Sequence, residues 1–98
     1  MEIQEFSGIG RKQYRKCVRA LRDIPKEDLP QFWEEFVKAT EKKKRYHHFR
    51  SEMLWEIEAK LINSLPLDAK CQWQRVKAEK GGRISFEDVF SFWRRKEE

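Results

Sequence analysis

Apolar residues recur along this chain at helical spacing, and nowhere alternate with polar ones for long enough to make a strand. Tyr14, Cys17, Val18 and Leu21 form the first stripe. Ser7 reads as its N-cap, Gly8 and Gly10 loosen the start, and the spacing predicts a helix to about Arg22 or Asp23. Pro25 and Pro30 each disfavour helical geometry at the preceding residue, so 23–29 is expected to be a turn or one short helical turn. Pro30 suits the first position of a second helix, and Glu34 and Glu35 suit the positive end of its dipole. Its stripe is Leu29, Phe32, Trp33, Phe36 and Val37. A polar stretch, 38–45, follows with five basic residues. Periodicity resumes with Tyr46, Phe49, Met53, Leu54, Ile57, Leu61 and Ile62. No Gly or Pro interrupts 31–63, so a continuous or kinked helix is expected there, with two helices as the alternative. A single helix would be roughly 50 Å long, with its Lys-rich middle solvated.

Ser64-Leu65-Pro66-Leu67 ends that segment, and Asp68 stands near the start of the next helix, which carries Cys71, Trp73, Val76 and Ala78. Gly81-Gly82 stops it. Ser85 with Asp88 three residues on approximates a capping box for a last helix. That helix packs Phe86, Val89, Phe90 and Trp93 and ends in Arg94-Arg95-Lys96. The expected fold is all-α: one small domain over 1–98, of three to five helices.

Charge changes the picture most in the first helix. Arg11, Lys12, Arg15, Lys16, Arg19 and Arg22 are basic and no residue between them is acidic. At ~100° per residue they cover an arc of roughly 140°, opposite the apolar stripe. Arg outnumbers Lys four to two there, and guanidinium forks favour recognition of phosphate or carboxylate over mere solubility. A second basic cluster, Lys42, Lys43, Lys44 and Arg45, runs into Tyr46, His47, His48, Phe49 and Arg50. Basic residues interleaved with aromatics can grip a backbone and stack on bases, although Tyr46 and Phe49 fit the core stripe better. The whole chain has net charge +5, which favours acidic partners without choosing among DNA, RNA and protein. Thirteen aromatic rings in 98 residues argue against disorder. Small size and heavy charge suggest that a partner completes part of the apolar surface.

Other chemistry finds little footing. Residues 1–15 hold no apolar h-region and no run of about 18 apolar residues exists, so a cytoplasmic chain away from membranes is expected. Cys17 and Cys71 are then reduced thiols. Adjacent His47 and His48 diverge on a helix and no zinc spacing is present, so no metal is expected. Residues 82–87 resemble the end of an EF-hand loop, but Lys77 falls at the first ligand position, which excludes calcium. No nucleophile elbow or phosphate-cradling loop appears, Glu34-Glu35 and Glu56 with Glu58 read as solvated, and neither catalysis nor a cofactor is expected. Leu65-Pro66-Leu67 is an apolar proline loop, trans by default, and a candidate docking element or prolyl isomerase substrate.

With these residues in view, the chain resembles the small anti-RecBCD proteins of lambda-like temperate phages. The resemblance rests on Phe6-Ser7-Gly8-Ile9-Gly10-Arg11-Lys12-Gln13-Tyr14, on Leu29-Pro30-Gln31-Phe32-Trp33, on length and on basic helical character. It implies an accessory protein that binds the host RecBCD helicase–nuclease through RecC and changes how DNA ends are processed, with no chemistry of its own. The residues expected to make contact come from the chain itself: the six cations of the first helix, Lys43, Lys44, Arg45, Pro66, and Trp73 and Trp93 as exposed aromatic anchors. The rival expectation is a module that binds DNA or RNA directly.

Overall fold

The computed structural model describes residues 10–41 and 44–97. It is all-α, with five α-helices and no strand among the described residues: α1 (Gly10–Leu21), α2 (Leu29–Ala39), α3 (His48–Ile62), α4 (Leu67–Glu79) and α5 (Phe86–Glu97). The chain folds into two compact units, one up to Glu56 and one from Ile57, so that α3 contributes to both.

In the first unit, α1 buries Cys17 and Leu21, and Tyr14 and Val18 are half-buried beside them. The helix ends in tightened turns, Asp23 N–H donating to Ala20 C=O at 3.0 Å, because Pro25 keeps Ile24 out of helical geometry. One 3-10 turn, Lys26–Asp28, leads into α2, as the two prolines predict. Pro30 stands in the first turn of α2, which buries Leu29, Phe32, Phe36 and Ala39.

The expected continuous helix over 31–63 is broken. α2 stops at Ala39, a 3-10 turn spans Lys44–Tyr46, and α3 begins at His48. The break has a local and a distant cause. No apolar side chain stands between Ala39 and Tyr46 to hold a helical turn against the core. The end of α2 is closed instead by Thr40, whose hydroxyl donates to Phe36 and Val37 C=O at 3.0 and 3.1 Å. Arg50, on α3, donates from Nε to Thr40 Oγ1 at 2.9 Å and from its terminal NH2 to Val37 C=O at 3.1 Å. Val37 C=O, which a longer helix would have bonded to Glu41 N–H, is thus satisfied by Thr40 and Arg50.

Tyr46 and Phe49 are core residues, 5% and 4% exposed. Tyr46 also explains Gly10: a Cβ there would lie 2.6 Å from Tyr46 Cε1. On an exposed helix, Gly→Ala would gain about 1 kcal/mol. Here Gly10→Ala is expected to lose about 1–3 kcal/mol by overpacking against a buried ring, read as a lower urea midpoint with unchanged m.

In the second unit, the end of α3 buries Ile57, Glu58, Leu61 and Ile62, and α4 buries Ala69 and Trp73. Gly81 and Gly82 have φ of 65° and 79°, and Gly82 N–H reaches Lys77 C=O at 2.9 Å while Gly81 N–H reaches Ala78 C=O at 3.0 Å. This is the doubly bonded left-handed ending that favours glycine. α5 buries Phe86, Val89, Phe92 and Trp93; Phe92 takes the place expected of Phe90, which is half-buried and stacked on Phe86 and Trp93.

The capping box of α5 is complete. Asp88 N–H donates to Ser85 Oγ at 3.2 Å, and Asp88 Oδ2 accepts from Ser85 N–H at 2.9 Å. That backbone bond, aided by Lys80 against partial desolvation, holds the Asp88 carboxyl below its ordinary 3.8. A carboxylate with a lowered folded pKa contributes stability above its unfolded pKa and loses it as pH falls through the folded one. Asp88→Ala is expected to remove about 1 kcal/mol at pH 7. The deficit relative to wild type then shrinks as pH drops below about 4, which chemical denaturation at several pH values checks.

Candidate protein-docking surface

α1 is long enough, at 12 residues, to show one complete face. The inward side is fixed by packing: Tyr14 stacks on Phe49, with centroids 4.9 Å apart and planes 18° apart, and tilts against Phe36 at 6.4 Å. Burial, with Glu52 and Glu56 nearby, pushes its hydroxyl up to about 12. Cys17, fully buried, is pushed up to about 11 and is an unreactive thiol at neutral pH. With the inward side committed, Arg11, Lys12, Arg15, Lys16, Arg19 and Arg22 are all exposed. No carboxylate pairs with Arg11, Lys12, Arg15, Lys16 or Arg19 among the described residues. These five cations on one short helix repel one another, and an anionic surface would relieve that repulsion.

The remaining expected contact residues divide. Lys44 is exposed, whereas Lys42, Lys43 and the side chain of Arg45 lie outside the described residues. Tyr46 and Phe49 are inside, so neither ring is open to stack on a base. Pro66 is exposed between buried Leu65 and Leu67, which is 74% exposed, and no cis peptide bond occurs among the described residues. His47 and His48 are exposed and belong to no group of three or more potential metal ligands among the described residues.

Trp73 and Trp93 correct the expectation of exposed anchors: they are 0% and 5% exposed. Trp73 Nε1 donates to Glu58 Oε2 at 2.7 Å, and Lys77 Nζ reaches the same oxygen at 3.0 Å. Glu58 is therefore buried and paired, where a solvated position was expected. The exposed tryptophan is Trp55, at 66%. Its signal was in the sequence: the stripe Met53, Ile57, Leu61 places Trp55 about 200° away, on the polar side of α3.

One more feature of the first unit escaped the sequence. A cleft of about 380 Å³ opens where α1, the 3-10 turn and α2 meet. Ala20, Ile24, Pro25 and Phe32 give it an apolar lining, and Asp23, Asp28, Gln31 and Glu35 give it a polar one. Asp23, Asp28 and Glu35 have no ion-pair partner among the described residues, in a chain with 22 cations. Glu34, by contrast, pairs with Lys38 at 3.4 Å.

Comparison with protein-family models, curated proteins and solved structures gives no match to this chain. No described helix is long and apolar enough to cross a membrane.

Proposed function

We propose that this chain is a cytoplasmic, non-catalytic accessory protein that docks α1 onto a protein that works on DNA and changes how that protein handles DNA ends. The resemblance carried by residues 6–14 and 29–33 makes the partner the host RecBCD enzyme, engaged through RecC. The observation that carries the docking is the row of exposed cations on α1, Arg11, Lys12, Arg15, Lys16 and Arg19, which make no ion pair among the described residues. Its surroundings favour a protein over bare nucleic acid. The carboxylate-lined cleft begins at Ala20, on α1 itself, and would repel a phosphate backbone laid along the helix. A protein surface can match both signs at once. Exposed Pro66 and Leu67 offer a second contact, of the kind a prolyl isomerase would take.

Direct DNA or RNA binding is the competing function, and salt separates the two. Five cations each neutralising a phosphate would give log K a slope of about −4.5 against log salt on duplex DNA. Affinity capture from host lysate, with and without nuclease, tests the reading. RecBCD subunits retained after nuclease treatment are the expected result. Loss of every partner on nuclease treatment would overturn it.

A further inference from the structure

We infer that the cleft beside α1 receives a basic side chain, arginine or lysine, projecting from the protein partner that α1 docks. The occupant follows from what the cleft offers. Asp23, Asp28 and Glu35, with no ion-pair partner among the described residues, call for positive charge, and the apolar lining calls for hydrocarbon. A bare metal ion meets only the first demand, and no described group of three or more potential ligands converges closely enough to hold one. Arginine and lysine meet both, because their methylene stems cover apolar surface while the charged head stays among polar groups. The stem would lie on Phe32 and Ile24, and the head would meet Asp23, Asp28 and Glu35. At about 380 Å³ the cleft is at the small end of ligand sites, which span roughly 300–1,000 Å³. A single long side chain suits it better than a folded segment.

Position names the source. Ala20 lines the cleft and stands about 40° from Lys16 around α1, at the edge of the cationic arc, so a surface seated on that arc borders the cleft. The partner surface is thus specified in two parts, an acidic patch for α1 and a neighbouring arginine or lysine for the cleft. Charges arranged this way fix register as well as affinity.

This inference rests on a protein being the partner, and its test is chosen to stand apart from RecBCD. The 15N-labelled full chain is titrated with two capped peptides, Ala-Ala-Arg-Ala-Ala and Ala-Ala-Gln-Ala-Ala. The arginine peptide is expected to shift the amides of Ile24, Asp28, Gln31 and Phe32 and to saturate in the millimolar range, and the glutamine peptide to leave them in place. In D28N/E35Q, affinity for the arginine peptide is expected to fall at least tenfold with an unchanged melting temperature. The α1 variant R11E/R15E/R19E is expected to keep peptide binding. Equal shifts with both peptides, no shifts, or undiminished binding by D28N/E35Q would overturn the inference. Arginine-peptide binding by a chain that fails to bind RecBCD would support the cleft while overturning the RecBCD reading.

Discussion

Trp73→Ala is expected to cost about 3–5 kcal/mol, the range for deleting a large buried aromatic. Trp73 has no exposed surface, and its ring tilts against Phe92 with centroids 5.2 Å apart. Its indole N–H is also one of the two donors that make buried Glu58 tolerable. Removing it leaves a 7%-exposed carboxylate held by Lys77 alone. Two further variants separate packing from pairing. Trp73→Phe retains most of the ring and is expected to cost about 1–3 kcal/mol, chiefly for the hydrogen bond lost from a buried carboxylate that then keeps only Lys77. Glu58→Leu with Trp73→Phe removes both partners and is expected to recover part of that loss, because an apolar pair needs no hydrogen bond. Urea titrations followed by circular dichroism give all three numbers. For a domain of ordinary stability, about 5–15 kcal/mol, the alanine variant would lose from about a fifth to all of its margin. A loss below 1 kcal/mol would show that Trp73 is not a keystone of the second unit.

The same residue shows where sequence reasoning reached its limit. Trp73 stands among Gln72, Gln74, Arg75 and Lys70, so α4 lacks a broad apolar stripe and a lone tryptophan there reads as exposed. Its burial depends on Glu58, fifteen positions earlier and on another helix. Features closed within a few residues were legible. The α1 faces, the turn between Pro25 and Pro30, the Ser85–Asp88 box and the Gly81-Gly82 ending follow from spacing and backbone chemistry alone. Features closed across the chain were not. The break after Ala39 is sealed by Arg50, whose partners are ten and thirteen residues away. The cleft is assembled from three elements, none of which is distinctive by itself. Glu58 did leave a trace, since it shares a helical face with Leu54, Leu61 and Ile62, where a carboxylate needs a partner.

Reversing charge on α1 is expected to have the largest effect on binding. Arg11, Arg15 and Arg19 are exposed and make no ion pair among the described residues, so R11E/R15E/R19E is expected to change folding stability by no more than about 0.5 kcal/mol per site. At a docked interface each reversal replaces an attraction with a like-charge clash, and three together are expected to weaken binding at least 100-fold, about 2.7 kcal/mol. Stability and binding therefore separate in this variant, which they do not in Trp73→Ala.

The most direct test of the central claim measures the affinity of wild type and R11E/R15E/R19E for purified RecBCD and for bare duplex DNA, across a salt series. The account predicts tight binding of wild type to RecBCD, with a salt slope much shallower than about −4.5. It also predicts at least 100-fold loss in the variant and weak binding of either protein to DNA. Unchanged affinity of the variant for RecBCD, or binding of wild type to bare DNA as tight as to RecBCD with the full phosphate slope, would contradict it.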